Sequence, residues 1–469
     1  PRSMALRGGC MIQVENYIGG KFVTLDEDFD DISPLDFSII AKVPRTRNVD
    51  DAVEAAKSAQ SEWGALSIEE RCEWLDKIAD ELESQIEEIA RLESIDTGKP
   101  HHVALNVDAD RSVNNFRFFA DFGRKMESQT FQMSDATNYV VRKPIGVVGL
   151  ISPWNLPLYL LSWKIAPALL MGNAIIAKPS EITPLTAHFL AKVCSQIGLP
   201  DGVLNIVHGY GPEVGQAIVE HPEIRAISFT GGTSTGKIVA ATAAPMFKKL
   251  SLELGGKNAS VVLDDADLDI AVPGVLRASF LNSGQICLCG SRVLVHSSIY
   301  DEFMERYLEE LKSFEIGPVI SDEHRSKVLS YIDLAKQEGG TILSGGNVPD
   351  KQGAWIEPTV ISGLSHESRT ATEEIFGPVV TVHKFESDEE AIEMANCTQY
   401  GLAGSVWSES RGREVAEQID SGMVWVNTWL HRDLRVPFGG VKDSGVGREG
   451  GMWSLGFFSE VVNICVMED

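Results

Sequence analysis

Between residues 145 and 243, short apolar segments alternate with segments of helical length, and this alternation restricts the possible folds more than any other feature of the chain. The apolar segments are 145–151, 174–179, 203–207 and 226–229. The helical segments are 157–171, a helix capped by Thr183 with Pro184 at its first position, 211–220 and 233–243. Continuous apolar strands joined by helices indicate a parallel sheet that is covered on both faces. Because such crossovers are right-handed, we predict a doubly wound, Rossmann-like α/β unit.

A second series of the same kind follows and predicts a second α/β domain with its own parallel sheet. Its segments are strand 260–264, helix 267–281, strand 292–296 and helix 299–313. The glycine-rich segment 253–257 lies at the boundary and is predicted to act as a hinge. The first 125 residues are predicted to be mostly helical, with a capping box at Ser67 and Glu70 that opens a long amphipathic stretch toward Leu92.

The formal net charge is −26, because 41 Lys and Arg side chains stand against 67 Asp and Glu. An acidic surface repels phosphate backbones, so nucleic acid is not an expected partner. Seven cysteines are an odd number in a long chain, which argues against a disulfide framework and favours a reduced, cytoplasmic protein. Cys287 and Cys289 form only a C-x-C pair, which makes no zinc site without further ligands, and no metal site is predicted.

Residues 144–163 contain no charged side chain and are long enough to span a bilayer. Pro144, Pro153 and Pro157 interrupt them, and a helix interior tolerates proline poorly. We therefore expect a strand, a turn and a helix rather than a membrane span. Residues 1–10 are expected to be a tag or an unstructured start, without the apolar segment of a secretory signal.

A glycine-rich loop, Gly231 to Lys237, joins a predicted strand to a predicted helix. Its spacing matches G-x-x-x-x-G-K, but Ile238 stands where a nucleotide-binding P-loop needs Ser or Thr for magnesium. Free N–H groups and the helix dipole would still favour a pyrophosphate at this helix start. An ordinary glycine-rich turn is the alternative.

The segment Lys178-Pro-Ser-Glu181 lies at the carboxyl end of a predicted strand, where open α/β sheets bind ligands. A glutamate there can accept a hydrogen bond from a ribose hydroxyl, while its charge would repel a 2′-phosphate. A solvated loop is the alternative.

Two further residues have the properties of a nucleophile and a base. Cys287 follows a glycine-containing turn after a predicted helix and could be an activated thiol, although a buried, inert cysteine is the alternative. Glu253 lies in the apolar LELGG segment, where its neighbours would raise the carboxyl pKa and suit a general base. Its alternative is a solvent-facing strand residue, because the SLEL segment alternates.

Taken together, the motifs resemble the NAD(P)-dependent aldehyde dehydrogenase superfamily. The matching segments occur in family order and run almost end to end: ISPWNLP (151–157), KPSE (178–181), FTGGTSTG (229–236), LELGGKN (252–258), FLNSGQIC (280–287), EEIFGP (373–378) and PFGGVKDSG (437–445). Within the family, the chain is most similar to muconic semialdehyde dehydrogenases, which oxidise 2-aminomuconic or 2-hydroxymuconic semialdehyde. The segments that carry this similarity are RSVNNFRFFAD (111–121), ISPWNLPLYLLSWKIAPAL (151–169) and VNTWLHRDLRVPFGG (426–440).

The resemblance implies an α/β fold with a Rossmann-like NAD-binding domain, a second parallel α/β catalytic domain and a small β arm for oligomerisation. The implied boundaries are 11–125 and 144–252 for the NAD-binding domain, 253–436 for the catalytic domain, and 126–143 with 455–469 for the arm. A homodimer or homotetramer is expected through this arm.

The resemblance also implies the chemistry. The Cys287 thiolate would attack the aldehyde to give a thiohemiacetal, and the Asn155 amide with the Cys287 N–H would bind the resulting oxyanion. Hydride transfer to NAD would leave a thioester, and Glu253 would activate the water that hydrolyses it. The presence of Glu253 disfavours a CoA-acylating relative. The remaining alternatives are another aldehyde, such as betaine aldehyde or an aliphatic aldehyde, and a catalytically idle binding protein on this fold.

The implied cofactor contacts form a larger set. Lys178 and Glu181 match residues on the adenosine ribose, Gly231 and its loop the pyrophosphate site, and Glu374 and Phe376 the nicotinamide ribose and ring. The other implied contacts are Ile151, Ser152, Trp154, Ser180, Gly211, Gly215, Phe229, Thr230, Gly232 and Leu254. Gly232 departs from the family, which usually has Ser there, so one phosphate hydrogen bond is expected to be absent.

A muconic semialdehyde carries a carboxylate, and a pocket for it should offer a fixed cation. Arg117 lies in a helix rich in aromatic residues, and Arg432 lies just before the PFGG segment. We predict that both bind this carboxylate through the planar guanidinium fork, with Arg435 as the fallback and Trp163 as a further substrate contact. The alternative for both arginines is pairing with nearby acids.

Overall fold

The structure, a computed structural model, describes residues 11–468, so the tag predicted at residues 1–10 lies outside the described residues. The strands are β1 (Ile12–Gln13), β2 (Asn16–Ile18), β3 (Lys21–Val23), β4 (Asp28–Ile32), β5 (Ile39–Pro44), β6 (Gln129–Gln132), β7 (Ala136–Pro144), β8 (Val147–Ile151), β9 (Ala174–Lys178), β10 (Leu204–Ile206), β11 (Ile224–Thr230), β12 (Lys249–Glu253), β13 (Ala259–Val262), β14 (Arg292–His296), β15 (Thr341–Ser344), β16 (Thr359–Ser362), β17 (Val379–Phe385), β18 (Tyr400–Gly401), β19 (Ala403–Trp407), β20 (Met423–Val426), β21 (Val441–Lys442), β22 (Gly445–Val446) and β23 (Ser459–Met467).

The α-helices are α1 (Asp50–Ala65), α2 (Ile68–Ser84), α3 (Ile86–Thr97), α4 (His101–Val103), α5 (Asp110–Arg124), α6 (Pro157–Leu170), α7 (Leu185–Gln196), α8 (Gln216–Glu220), α9 (Thr233–Ala243), α10 (Leu268–Phe280), α11 (Tyr300–Leu311), α12 (Asp322–Gln337), α13 (Arg369–Thr372), α14 (Asp388–Asn396), α15 (Gly412–Ala416) and α16 (Gly451–Phe457). Two π-helical segments, Ala104–Ala109 and Gly211–Gly215, directly precede α5 and α8.

The first sheet has eight strands in the order β22-β12-β11-β8-β9-β10-β2-β3. Its five central strands are parallel, whereas β22, β2 and β3 are antiparallel additions. The chain runs outward from β8 to β10 and then returns to the other side of β8 with β11. This reversal makes the carboxyl ends of β8 and β11 the topological switch point, where such sheets bind ligands. The predicted doubly wound unit is therefore present.

The second sheet has seven strands in the order β15-β16-β17-β14-β13-β19-β20, and only β15 is antiparallel to its neighbour. A third, antiparallel sheet consists of β23, β7 and β6. The segment 253–257 connects β12 of the first sheet to β13 of the second. Two parallel sheets and a small β arm were the predicted architecture.

The uncharged run 144–163 forms β8, a loop and the first half of α6, as predicted. Every residue of α6 is buried, in keeping with its mostly apolar sequence. Among residues 11–468, no helix is both long and apolar enough to cross a membrane.

The N-terminal prediction was partly wrong. The capping box at Ser67 and Glu70 is formed, but the helix that it opens ends at Ser84, and α3 follows after a break at Gln85. Residues 12–44 contain five strands rather than helices. Most of these strands are only two to five residues long, too short for alternation in the sequence to reveal them.

Two helix starts also differ from the prediction. Helix α7 begins at Leu185 with Pro184 before it, and Thr183 provides no side-chain cap. The Leu185 N–H instead donates to the carboxylate of Asp96, 3.0 Å away on α3. The predicted helix 211–220 begins as a π-helical segment.

Candidate active site

A cavity of about 230 Å³ lies at the carboxyl ends of the first sheet's strands and is closed by loops of the second unit. Its lining comprises Pro153, Trp154, Asn155, Leu160, Thr230, Gly231, Gly232, Leu254, Gly255, Cys287, His324, Lys327, Glu374 and Phe376. Nine of these residues were predicted site residues. The lining as a whole comes from six separate chain segments. We call this space the thiol cavity.

The predicted nucleophile is carried by a constrained turn after α10. Asn282, Ser283 and Gly284 all have positive φ angles, of 53°, 57° and 71°. A β-carbon at Gly284 would collide with the carbonyl oxygen of Gly377, so only glycine fits there. The Asn258 amide then donates to the Cys287 carbonyl at 2.7 Å. These contacts fix the backbone that presents the thiol.

Cys287 and Cys289 differ in their surroundings. The Cys287 side chain lines the thiol cavity, whereas Cys289 is buried in the apolar core of the second unit. Burial raises the pKa of the Cys287 thiol well above its usual range, and the nearby charge of Glu253 adds to this, while Arg432 opposes it. The thiol is therefore protonated at neutral pH and needs a base or a cation to become nucleophilic.

Asn155 lies beside the thiol in the loop between β8 and α6. Its side-chain amide donates to the Gln285 carbonyl at 3.0 Å, in the same turn that carries Cys287. The Cys287 N–H forms no hydrogen bond within residues 11–468. Two N–H groups in the segments that carry Asn155 and the thiol are the kind of donors that an oxyanion hole uses.

Glu253 ends β12 with both carboxylate oxygens buried and without hydrogen-bond partners among the described residues. Burial, followed by the negative charge of Glu449, raises its pKa well above the usual value, and Lys164 opposes the shift. Lys164 donates to Glu449 and to Ser228, each at 2.8 Å. A carboxyl kept basic by burial fits the predicted general base. Sequence reasoning missed Lys164 and Glu449, which lie 285 positions apart.

A second group of predicted residues lies further along the sheet edge. The Lys178 ammonium donates to Glu181 at 2.9 Å, and the Glu181 carboxylate lies 3.5 Å from the Gly211 N–H. Burial alone would raise the pKa of Glu181, but Lys178 and the hydrogen bonds lower it, so it is ionised. A β-carbon at Gly215 would lie 3.5 Å from the Lys178 side chain. Ser180 is buried in the loop that follows Lys178.

The residues between these two groups fit a dinucleotide. The hydroxyls of Ser152 and Thr230, at the ends of β8 and β11, are buried and have no partner among residues 11–468. Gly232 precedes α9, and its α-carbon faces open space where the first N–H groups of this helix are free. Unsatisfied hydroxyls and a free helix N-terminus at a switch point match the donor set that a pyrophosphate needs. Leu254 lines the thiol cavity, and Ile151 and Phe229 are buried at the ends of β8 and β11.

An aromatic group forms the far wall of the thiol cavity. The Trp154 ring meets the Phe376 ring edge-on, with centroids 5.2 Å apart. His324 accompanies them, and its pKa is lowered to about 4 by burial, so the ring is neutral. The Glu374 carboxylate accepts from the Gly256 N–H at 2.9 Å. His324 and Lys327 line the cavity but were not predicted, because α12 contains no motif that marks them.

Arg432 lies in the loop between β20 and β21 and contacts aromatic side chains. Its guanidinium donates to the Tyr159 hydroxyl at 3.1 Å and lies over the rings of Phe438 and Trp163, at 4.1 and 5.3 Å from their centroids. Its charge acts on both Cys287 and Glu253, as their pKa shifts show. Trp163 itself is buried and supports Arg432 from below.

The predictions for Arg117 and Arg435 are wrong. The Arg117 guanidinium pairs with Asp80, at 2.9 Å, and with Glu83, both on α2. Arg435 is exposed and pairs with Asp433. In both cases the alternative reading, pairing with acids, describes the structure.

Arg111, six residues before Arg117 on α5, was not singled out in the sequence. Its guanidinium lies over the Tyr159 ring at 5.4 Å, and its Nη1 atom is buried with no partner among residues 11–468. Arg111 is four residues before Asn115, so both lie on one face of α5, and Asn115 donates to the Tyr159 carbonyl at 2.9 Å. The buried face of this helix was the signal that distinguishes Arg111 from Arg117.

No group of three or more His, Cys, Asp or Glu side chains in the part of the chain that the structure describes is arranged to hold a metal ion.

A doubly wound sheet whose switch point opens onto a buried thiol agrees with the family that the motifs indicated. The sequence profile of the Aldehyde dehydrogenase family matches residues 22–464, and the chain belongs to this family. A 2-aminomuconic 6-semialdehyde dehydrogenase of Pseudomonas sp is 48% identical over 485 residues, which cover 98% of this chain and 99% of that protein. A 2-hydroxymuconic semialdehyde dehydrogenase of Pseudomonas sp. (strain CF600) is 44% identical, with 97% of this chain and 100% of that protein covered.

Among solved structures, the NAD+ complex of an aldehyde dehydrogenase from Bacillus cereus matches with a TM-score of 0.95 at 38% identity, over 98% of this chain and 97% of that one. The predicted family and the predicted α/β fold are thus confirmed.

Proposed function

We propose that this enzyme oxidises a muconic semialdehyde, 2-amino or 2-hydroxy, to the carboxylic acid with NAD as the cofactor. The observation that carries the proposal is Arg432, a cation that contacts Tyr159 and acts on both the thiol and the buried glutamate. Arg432 therefore lies close enough to Cys287 and Glu253 to bind the carboxylate of a substrate whose aldehyde reacts there. The similarity to two muconic semialdehyde dehydrogenases supports the same substrate class.

The residues of the chain would act in a fixed order. The Cys287 thiol first releases its proton to solvent, and the Arg432 charge favours the resulting thiolate. The sulfur then bonds to the aldehyde carbon, and the oxygen that becomes negative is held by the Asn155 amide and the Cys287 N–H. After oxidation, the acyl group remains on sulfur as a thioester. Glu253 then removes a proton from water, whose oxygen attacks the thioester and releases the acid.

NAD fits the group of residues along the sheet edge. When bound, it would supply the hydride acceptor. Lys178 and Glu181 would hold the adenosine ribose, the start of α9 the pyrophosphate, and Glu374 with Phe376 the nicotinamide end. The ionised Glu181 would repel the 2′-phosphate of NADP. The NAD+ complex of the Bacillus cereus relative supports this choice.

The carboxylate of the substrate would lie near Tyr159, where Arg111 and Arg432 converge from α5 and from the loop before β21. Arg111 has a buried Nη1 atom without a partner among residues 11–468, which is costly unless a ligand satisfies it. Two guanidinium groups that contact one tyrosine, one at its ring and one at its hydroxyl, suit a planar carboxylate.

We also propose the division of labour between the units. Residues 11–125 and 144–252 would bind NAD, 253–436 would carry the nucleophile, and 126–143 with 455–469 would join subunits into a homodimer or homotetramer. The arm strand β23 has apolar side chains exposed, which supports this role. A cytoplasmic location is supported by the six free thiols of the described residues, since oxidising compartments favour disulfides.

The test compares a muconic semialdehyde with a neutral aldehyde in wild-type enzyme and in Arg432→Met, Arg111→Met and Arg117→Met variants. A hydrogen bond to a charged group contributes about 1.5–3 kcal/mol, so each of the first two changes should lower kcat/KM for the semialdehyde about 10- to 100-fold. Turnover of the neutral aldehyde should change little in Arg111→Met. In Arg432→Met it should fall less than turnover of the semialdehyde, because the Arg432 charge also acts on Cys287 and Glu253. Arg117→Met is the matched control and should affect neither substrate.

Equal losses on both substrates would mean that the arginines support the fold rather than bind the carboxylate. Absence of NADH formation from wild-type enzyme with either aldehyde would contradict the proposed function itself.

A further inference from the structure

A buried ion pair lies directly beneath the loop that carries Asn155. The Lys99 ammonium is 2.7 Å from the Asp108 carboxylate, and both side chains are almost completely shielded from solvent, at 1% and 0% exposure. The same ammonium donates to the backbone carbonyl of Asn155 at 3.0 Å. The ion pair therefore contacts Asn155, the residue whose side-chain amide we propose as an oxyanion donor.

We propose that Lys99 and Asp108 are positioning residues that fix the Asn155 backbone and so aim its side-chain amide at the oxyanion. This inference rests on the proposed function, in which Asn155 is an oxyanion donor.

Stability alone gives a poor reason for this pair. Removing two charges from water is costly, and apolar residues of similar size often stabilise a core equally well. A buried ion pair is more useful where it orients a group. Here the oriented group is a carbonyl in an irregular loop between β8 and α6, where no strand or helix holds the backbone.

The chain departs from regular structure to bring Asp108 into place. Asp108 lies in the π-helical segment Ala104–Ala109, a rare geometry that is often found at functional sites. Lys99 follows Gly98, which ends α3 with a positive φ of 75°. Two local irregularities therefore converge on one buried contact.

The surroundings of the ion pair are acidic. Glu93 on α3 lies close enough that the charge of Asp108 raises its pKa and the charge of Lys99 lowers it. Glu93 is used elsewhere, because it accepts from the Leu158 N–H at 2.9 Å and from the Thr186 hydroxyl at 3.2 Å. Burial raises the pKa of Asp108, and Lys99 opposes this shift. Of these groups, only Lys99 bonds to Asn155.

A second contact closes the arrangement from the opposite side. The Asn282 amide, on the turn that carries the thiol, also donates to the Asn155 carbonyl, at 3.1 Å. The carbonyl is held between Lys99 and Asn282, so the Asn155 loop and the thiol turn are fixed relative to each other. Loss of Lys99 would leave Asn282 as the sole donor among the described side chains.

The test replaces both charges together, as Lys99→Met with Asp108→Leu, so that no buried charge is left alone. Misplacing a reacting group by about 1 Å can slow a reaction about 10²-fold, and we expect the first turnover of NADH formation to slow about 10- to 100-fold. The affinity for NAD, measured by titration, should change less than about twofold, because the ion pair contacts no proposed cofactor residue. Thr186→Val, in the same buried layer but without contact to Asn155, is the matched control and should leave the rate unchanged.

A double-mutant cycle separates positioning from a general structural effect. If the pair acts through Asn155, Asn155→Ala should cost much less rate in the double variant than in wild-type enzyme. Additive losses, or an unchanged first turnover in the double variant, would overturn the inference while leaving the proposed function intact. A normal rate in the single Asn155→Ala variant would contradict the oxyanion role and the inference with it.

Asp108→Asn serves as a second variant, because it keeps the shape of the side chain but removes the charge that holds the Lys99 ammonium. It should slow the first turnover in the same direction as the double variant, by a smaller factor. The same cycle with Asn155→Ala gives the same decision if the double variant does not fold.

Discussion

Cys287 and Cys289 are separated by one residue, yet the structure gives them different environments. Cys287 faces the thiol cavity, and Cys289 packs in the core with its sulfur 3.8 Å from the Leu281 carbonyl. Reactivity depends on access and on neighbouring charges, not on position in the sequence. The C-x-C pair therefore consists of one reacting thiol and one packing residue.

We expect Cys287→Ala to abolish aldehyde oxidation while NAD binding persists, because Cys287 is the one thiol of the described residues that lines the cavity. Cys289→Ala should keep most of the activity and lose some thermal stability, since it removes buried volume. NADH absorbance and cofactor titration measure the two effects. Normal turnover by Cys287→Ala would remove this residue from the mechanism.

The buried environment of Glu253 predicts how the rate of thioester hydrolysis depends on pH. Its pKa is raised by burial and by Glu449, so the carboxyl holds its proton to a higher pH than an exposed glutamate does. A general base works only when ionised, so thioester hydrolysis should slow as the pH falls through this raised pKa.

We therefore expect the steady-state rate of the wild-type enzyme to have an acidic limb that lies above the ordinary pKa of a glutamate. Glu253→Gln should remove that limb and lower the steady-state rate about 10²-fold or more, the usual contribution of a general base. The first turnover of NADH should survive as a burst, and mass spectrometry should detect the acylated protein. A full steady-state rate with neither burst nor adduct would contradict this role.

The turn before the thiol depends on conformations that most residues avoid. Gly284 has a positive φ and touches Gly377, a residue of the loop that also carries Phe376. Gly339, at the end of α12, also has a positive φ, of 89°, but a β-carbon there would meet no atom within 4 Å. A comparison of the two positions therefore distinguishes the cost of a positive φ from the cost of a steric collision.

Gly339→Ala should cost about 1 kcal/mol, the usual price of a positive φ in a residue with a side chain. Gly284→Ala should cost clearly more and should also lower the rate of NADH formation, because the collision displaces the thiol turn. Denaturant unfolding and activity assays check both. Equal losses at the two sites would mean that the contact with Gly377 does not fix the turn.

Helix α3 shows how elements prepare the site from a distance. Glu93 accepts from the first turn of α6, Asp96 accepts from the start of α7, and Lys99 follows with its bond to Asn155. Three side chains of one segment thus satisfy N–H or carbonyl groups of elements that lie more than 50 positions away in the sequence. This is why the local cap predicted at Thr183 was wrong: a distant carboxylate had taken its place.

At the level of the whole molecule, the three-stranded sheet exposes apolar side chains along an open edge. Strand β23 pairs with β7 on one side only within the described chain. Ile464 and Val466 are 42% and 45% exposed. An unpaired edge with apolar side chains promotes pairing with another chain.

We expect the protein to form a homodimer or a larger homo-oligomer, and the combined change Ile464→Lys and Val466→Lys to shift it toward the monomer. Lysine on an edge strand opposes strand pairing. Light scattering measures the mass, and circular dichroism checks that the variant is folded. An unchanged oligomer would place the subunit contact elsewhere.

Much of the site followed from the sequence because its residues lie in short contiguous motifs. The glycine loop at Gly231 and the segment Lys178 to Glu181 have local signatures, so both were predicted from spacing as ligand-binding segments. The other cofactor contacts were implied by the family resemblance. Cys287, Glu253 and Asn155 lie in segments whose resemblance to a family runs almost end to end. All three lie at the thiol cavity or act on it electrostatically.

The predictions that were wrong, and the residues that were missed, depend on partners that lie far away in the chain. Arg111 and Arg117 lie six residues apart on one helix, and only the packing of α5 against α6 and α2 assigns the first to Tyr159 and the second to Asp80 and Glu83. Lys99, Lys164 and Glu449 have no local signature, because a buried charge is recognisable only once its partner is known. The sequence by itself determined the family, the parallel strands and the segments that carry the candidate reacting residues, since those depend on local motifs and periodicity. The tertiary structure decided which charges surround them, since that depends on contacts between residues up to 285 positions apart.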